Sequence, residues 1–195
     1  MKKSLLTVLA IAILIIASSA SAQLSSFSGM LTSNEGVNAT GNWGVNGFKI
    51  SWLIEEQANH AWFYQYWLTD LNGNTLIGEP SHFTIEVSPN VTGDDFWNFS
   101  GNGAVELGSK DGIESAMKMD WQSGYYGFYS WRNPIEGDFY SKDGRAGGYG
   151  LNTARNADGY YILRPDTETV IPEPGTMLLM GLGLVGLGIR RRFKK

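Results

Sequence analysis

The chain has 195 residues, no cysteine, and a formal net charge of −4 from 15 basic and 19 acidic side chains. The missing cysteines exclude disulfides, thiol catalysis and cysteine-ligated zinc. Seven of the basic residues lie in 1–22 and 171–195, so 23–170 holds 8 basic and 18 acidic groups and repels nucleic-acid phosphates.

In chain order the first element is an address. Lys2-Lys3 precede the apolar run from Leu5 to Ala17, and Ala20-Ser21-Ala22 has the small residues of a cleavage site. This pattern predicts a signal peptide over 1–22, read by the Sec machinery and cut before Gln23. The run is shorter than the ~20 residues that span a bilayer as a helix.

Between 23 and 170 the apolar residues alternate with period two, which predicts strands. Val45 to Glu56 puts Phe48, Ile50, Trp52 and Ile54 on one face. Ala61 to Thr69 is aromatic on both faces, and Asp70 to Asn74 reads as a turn. His82 to Ser88, Ala104 to Leu107, Ile113 to Trp121, Gly124 to Trp131 and Gly159 to Arg164 are further strands. Thr92 to Phe99 is expected to form one short helix, capped by Thr92 with Asp95 three residues on. Strands this short, separated by Gly, Asn and Asp, predict an all-β fold: a single β-sandwich or jelly-roll domain over 23–170.

Chemistry is thinly signalled in that domain. Glu55 and Glu56 are neighbours on a strand, so they point to opposite faces and cannot address one substrate together. His60 sits in a turn and His82 opens a strand, and neither lies near a nucleophile motif, so both read as surface or strand-end residues. The expectation is a protein that is not an enzyme; a secreted hydrolase is the remote alternative. No cofactor is expected. Calcium is the ion that Asp70, Asn72, Asn74 and Asp143 would suit best, although the EF-hand spacing is not met and ordinary turn chemistry accounts for the same residues. The aromatics are the strongest binding signal. Trp62, Tyr64 and Tyr66 share one strand face, Phe63 and Trp67 share the other, and Tyr125, Tyr126, Tyr129 and Trp131 follow on a later strand. At least one face must be core. An open one would stack sugar rings, and Trp62, Tyr64, Tyr66 and Trp131 are the candidate glycan-stacking residues.

The last segment, 171–195, is a second address. Pro172 and Pro174 flank Glu173, the run from Thr176 to Ile189 is apolar and glycine-rich, and Arg190-Arg191-Arg192 stops it. Proline keeps the start extended, and the arginine cluster is expected to stay cytoplasmic by the positive-inside rule. The apolar run is expected to cross the membrane as a single short helix. Gly181-x-Gly183-x-x-Gly186 spells a dinucleotide fingerprint, but it lies inside the apolar run with no room for the acidic ribose ligand, and helix packing explains it better.

Pro172-Glu173-Pro174, a short apolar helix and the Arg190-Arg191-Arg192 cluster resemble the PEP-CTERM sorting signal of Gram-negative bacteria. The resemblance covers only the last 25 or so residues. It implies an exosortase as partner, an inner-membrane precursor, and delivery to the cell surface or the exopolysaccharide matrix. His82 to Phe99, Gly137 to Tyr140 and Lys142 to Gly144 are similar to ectodomains of other PEP-CTERM proteins. That similarity implies a shared β-rich fold and no activity. The resulting expectation is a structural or adhesive surface protein, with polysaccharide binding through exposed aromatics as the alternative.

Overall fold

The computed structural model describes residues 24–101, 103–120, 123–144 and 152–165. The signal-peptide residues, Ala20, Ala22 and Gln23 among them, and the C-terminal segment with Pro172, Glu173, Pro174, Arg190, Arg191 and Arg192 lie outside them. Among the described residues, no helix is long and apolar enough to cross a membrane.

The described domain is built mostly from strands. They are β1 (Ser26–Thr32), β2 (Val37–Ala39), β3 (Lys49–Glu56), β4 (Trp62–Thr69), β5 (Pro80–Glu86), β6 (Phe96–Trp97), β7 (Ala104–Lys110), β8 (Ile113–Asp120), β9 (Tyr125–Ser130), β10 (Pro134–Gly137), β11 (Phe139–Asp143), β12 (Thr153–Asn156) and β13 (Ile162–Pro165). One helix, α1 (Gly41–Asn46), precedes β3. The first sheet has the order β1-β3-β4-β9-β6, the second β2-β12-β11-β5-β8-β7, and β10 pairs with β13 in a two-stranded ribbon. Strands paired in these ladders run antiparallel.

Alternation in the sequence becomes the core here. Ile50, Trp52 and Ile54 of β3, Trp62, Tyr64, Tyr66 and Leu68 of β4, and Tyr126 and Phe128 of β9 point inward from the first sheet. Phe83 and Ile85 of β5, Met117 and Met119 of β8 and Phe139 of β11 meet them from the second. The contact is ring on ring: Tyr66 lies 5.2 Å from Phe83, and Phe83 lies 5.1 Å from Tyr126, between centroids. Each such ring withdraws enough apolar area to contribute about 1.5–3 kcal/mol.

The buried phenols need acceptors, and the backbone supplies them. Tyr64 Oη donates to the Arg132 carbonyl at 2.7 Å, and Tyr66 Oη donates to the Leu163 carbonyl at 2.8 Å. The second bond ties the first sheet to the β10–β13 ribbon. Burial raises the Tyr66 ionisation well above the ordinary phenol range, so its hydroxyl stays a donor.

Local chemistry explains where the expected elements shift. The strand read from Val45 begins at Lys49, because Val45 belongs to α1. The helix is held by Trp43, whose Nε1 donates to the carbonyls of Ile77 and Gly78 at 3.1 and 3.0 Å. The helix expected over Thr92–Phe99 reduces to a single 3-10 turn, Gly93–Asp95. Its capping box exists: the Thr92 amide donates to Asp95 Oδ2 at 2.8 Å. The turn stops there because Phe96 is extended and joins β6 beside β9.

His82 is not a surface residue; only 3 % of it is exposed. It points to the outer face of β5, and the tip of the β7–β8 hairpin covers it. Register breaks between Gly108 and Lys110, and the hairpin tip reaches back across the sheet. Asp111 Oδ2 accepts a 2.7 Å bond from Thr84 Oγ1 and sits 3.3 Å from His82 Nε2.

Candidate functional site

The outer face of the first sheet carries most of its unusual residues. Inward-pointing Tyr64 and Tyr66 leave Phe63, Gln65 and Trp67 on the outside of β4, because neighbours on a strand face opposite ways. β9 repeats the pattern with Tyr125, Gly127 and Tyr129. The register sets Phe63 opposite Tyr129, Gln65 opposite Gly127 and Trp67 opposite Tyr125. Trp97 of β6 lies opposite Tyr129 on its other side.

These side chains form two aromatic clusters. Phe63 stacks on Tyr129 at 4.5 Å and 16°, and Tyr129 stacks on Trp97 at 6.1 Å and 21°. Trp97 continues to Trp131 at 4.7 Å. The ladder ends at Trp131, which is 44 % exposed. Four residues along β4, about 13 Å away, Trp67 and Tyr125 form the second cluster at 5.5 Å.

The row between the clusters is low and polar. Gly127 has no side chain, and a Cβ there would come within 2.6 Å of Tyr125 Oη. Gln65 donates to Glu55 Oε2 at 3.4 Å, and Tyr125 Oη reaches Gln65 Oε1 at 3.5 Å. Burial, and then the neighbouring Tyr129, raise the Tyr125 ionisation, so this hydroxyl is neutral at physiological pH. The face thus alternates ring surface with an amide, a carboxylate and a phenol. That combination suits a polyhydroxylated chain: C–H faces lie on rings while hydroxyls bond to the polar row.

Three of the four residues expected to stack glycans are elsewhere. Trp62, Tyr64 and Tyr66 are 8 %, 0 % and 0 % exposed and form the core, as does Tyr126. The reason is the second sheet, which covers that side of β4 and puts Phe83 against Tyr66. Trp131 is at the open end of the ladder. Trp97 is not among the sequence candidates because Thr92–Phe99 reads as a short helix; its neighbour in register, Tyr129, is the available signal.

The other sequence candidates resolve into structural roles. Asp70 Oδ1 accepts from the amides of Asn72 and Asn74 at 2.8 and 2.7 Å, and Oδ2 accepts from Asn74 Nδ2 at 2.9 Å. These bonds, the Asn74 side chain first, hold the carboxyl below its usual range. Asp143 is likewise engaged, by the Asn152 amide at 3.2 Å and its Nδ2 at 2.8 Å. Neighbouring amides engage these carboxylates, and among the described residues no three His, Cys, Asp or Glu side chains gather as a metal site.

Glu56 is held below its ordinary range chiefly by His60, whose Nδ1 is 3.0 Å away. Asp95 is paired with the buried Arg132 at 2.9 Å. Ser81, His82 and Asp111 do come into contact, with Ser81 Oγ 3.3 Å from His82 Nδ1. The serine hydroxyl, however, donates to the Lys142 carbonyl at 3.2 Å, and the imidazole is buried under the hairpin.

No curated protein and no solved structure matches the chain. Residues 170–192 match the family model described as the PEP-CTERM protein-sorting motif. The match places a PEP-CTERM sorting signal at the C-terminal end, and the described β domain lies ahead of the matched segment.

Proposed function

We propose that the chain is a non-enzymatic, adhesive protein of the cell surface or extracellular matrix, sorted by an exosortase, whose β domain binds polysaccharide through the outer face of its first sheet. The signal-peptide pattern at one end and the sorting motif at the other support export. The single observation behind the binding role is the aromatic ladder Phe63-Tyr129-Trp97-Trp131 with its polar neighbour row. Cross-strand ring pairs also stabilise a sheet. The terminal indole, left 44 % exposed, is the part of the ladder that a ligand ring could reach.

The test is pull-down of the exported chain on insoluble polysaccharides, cellulose and chitin, and on the host's own extracellular polysaccharide. Retention that survives high salt, and that falls at least tenfold in Trp131→Ala and Trp97→Ala with folding intact, supports stacking. Retention unchanged by both substitutions, or no retention on any polysaccharide, removes the reading.

A further inference from the structure

We infer a second site that rests on the polysaccharide-binding reading: a cleft on the outer face of the second sheet that holds a neutral saccharide without cleaving it. The cleft has a volume of about 450 Å³, within the range of roughly 300–1,000 Å³ typical of small-molecule sites.

Register builds its floor. Asn38 lies opposite Arg155, and Arg155 opposite Tyr140, so three outward side chains from β2, β12 and β11 form one row. Asp138 precedes β11, and Asp158 and Tyr161 come from the connection between β12 and β13. Gly112 and Ile113, at the hairpin tip, make the opposite wall. The tip is held down at Asp111, whose carboxylate accepts from Thr84 and whose carbonyl accepts from Arg155 Nη2 at 3.4 Å.

The polar groups of this cleft are only partly used. The Arg155 guanidinium lies 5.5 Å above the Tyr140 ring, and no carboxylate among the described residues pairs with it. Asn156 Nδ2 holds one Asp138 oxygen at 2.7 Å and leaves the other open. The side chains of Asn38 and Asp158 and the Tyr161 hydroxyl have no hydrogen-bond partner among the described residues.

The mixture of groups selects the ligand class. Two carboxylates against one guanidinium disfavour an anion. The guanidinium at the centre, and the lack of a third carboxylate, disfavour a metal ion. An apolar ligand would strand every one of these polar groups. A compound with adjacent hydroxyls satisfies both kinds: it donates to Asp138 and Asp158, accepts from Arg155 and Asn38, and lays a C–H face on Tyr161, which is 45 % exposed. This site and the aromatic ladder lie on the outer faces of different sheets, so one domain can hold two polysaccharide chains and link them.

The test is a glycan array of neutral, amino and uronic-acid oligosaccharides probed with the exported chain, followed by titration calorimetry of the best neutral hit. Expected are binding to a neutral oligosaccharide and at least tenfold weakening, about 1.4 kcal/mol, in Asp158→Asn and in Tyr161→Ala, both exposed positions that leave folding intact. Val45→Ala, at an 85 % exposed position outside the cleft, is the control and leaves this affinity unchanged. No neutral hit, preference for uronic acids, insensitivity to both cleft variants, or release of reducing ends each overturns the inference. If the cleft variants behave as expected while Trp97→Ala and Trp131→Ala keep full polysaccharide retention, only the ladder reading fails.

Discussion

Asp111 and Thr84 are 27 residues apart, yet a 2.7 Å hydrogen bond joins their side chains and pins the β7–β8 hairpin tip to the outside of the second sheet. Asp111 takes a left-handed backbone conformation to do so, with φ of 54°. This contact buries His82, walls the inferred cleft and completes the Thr84 hydroxyl.

Breaking it has a measurable cost. Thr84 is 0 % exposed, so Asp111→Ala leaves its hydroxyl without this partner. The expected loss is about 1–3 kcal/mol in unfolding free energy. Thr84→Val removes the donor and keeps the shape; it is expected to be the milder change in urea denaturation.

Acid should weaken the fold through His82. Burial, the largest cause, and then Lys118 and Lys142 lower its pKa from 6.5, while Asp111 and Asp120 act against them. Its folded pKa is below its unfolded one, so the unfolded chain binds the proton more tightly. The contribution is intact above 6.5 and declines as pH falls from there toward the folded value. The urea midpoint should drop between about pH 7.5 and about pH 5.5 in the parent and drop less in His82→Gln. Equal drops in both would reject His82 as the source.

Core and ladder aromatics should separate cleanly. Tyr66→Phe leaves the Leu163 carbonyl without its 2.8 Å donor and should cost about 1–2 kcal/mol. Trp131→Ala, at the exposed end of the ladder, should stay within about 1 kcal/mol of the parent. Thermal unfolding of the two variants side by side checks the contrast.

The Asp95–Arg132 pair should be costly to break from one side. Arg132 is 5 % exposed and reaches Asp95 at 2.9 Å and Asn90 Oδ1 at 3.1 Å. Asp95→Ala removes one hydrogen-bonded partner of that buried cation and should cost about 1–3 kcal/mol. The same substitution removes the Thr92 cap, so Thr92→Ala, expected near 1 kcal/mol, is the control in guanidinium denaturation.

Sorting predicts defined ends. In a host with an exosortase, mass spectrometry of the mature protein should find Gln23 at the start and an end near Pro172. Recovery of the full C-terminal segment from the cell surface would contradict the assignment.

The C-terminal sorting motif was legible because it is one-dimensional: charge, apolar length and Pro-Glu-Pro order act without a fold. The all-β class was legible too, since the alternation in Lys49–Glu56 and Trp62–Thr69 is intrinsic to a pleated strand. β1, β2, β6 and β10 to β12 were not read, because short or weakly apolar segments such as Phe96–Trp97, Ser26–Thr32 and Pro134–Gly137 become strands only by pairing.

What the sequence by itself determined is therefore a sorting motif at residues 170–192 and a body made of strands. Which way those strands face was decided by tertiary structure alone. Period two separates Trp62, Tyr64 and Tyr66 from Phe63 and Trp67, yet both sets are aromatic, and only the arrival of Phe83 from another sheet makes one of them core. The same holds for His82 and for the cleft. Their surroundings come from Asp111, Asn38, Asp138 and Asp158, positions far apart in the chain that meet only when register and a folded-back hairpin bring them together.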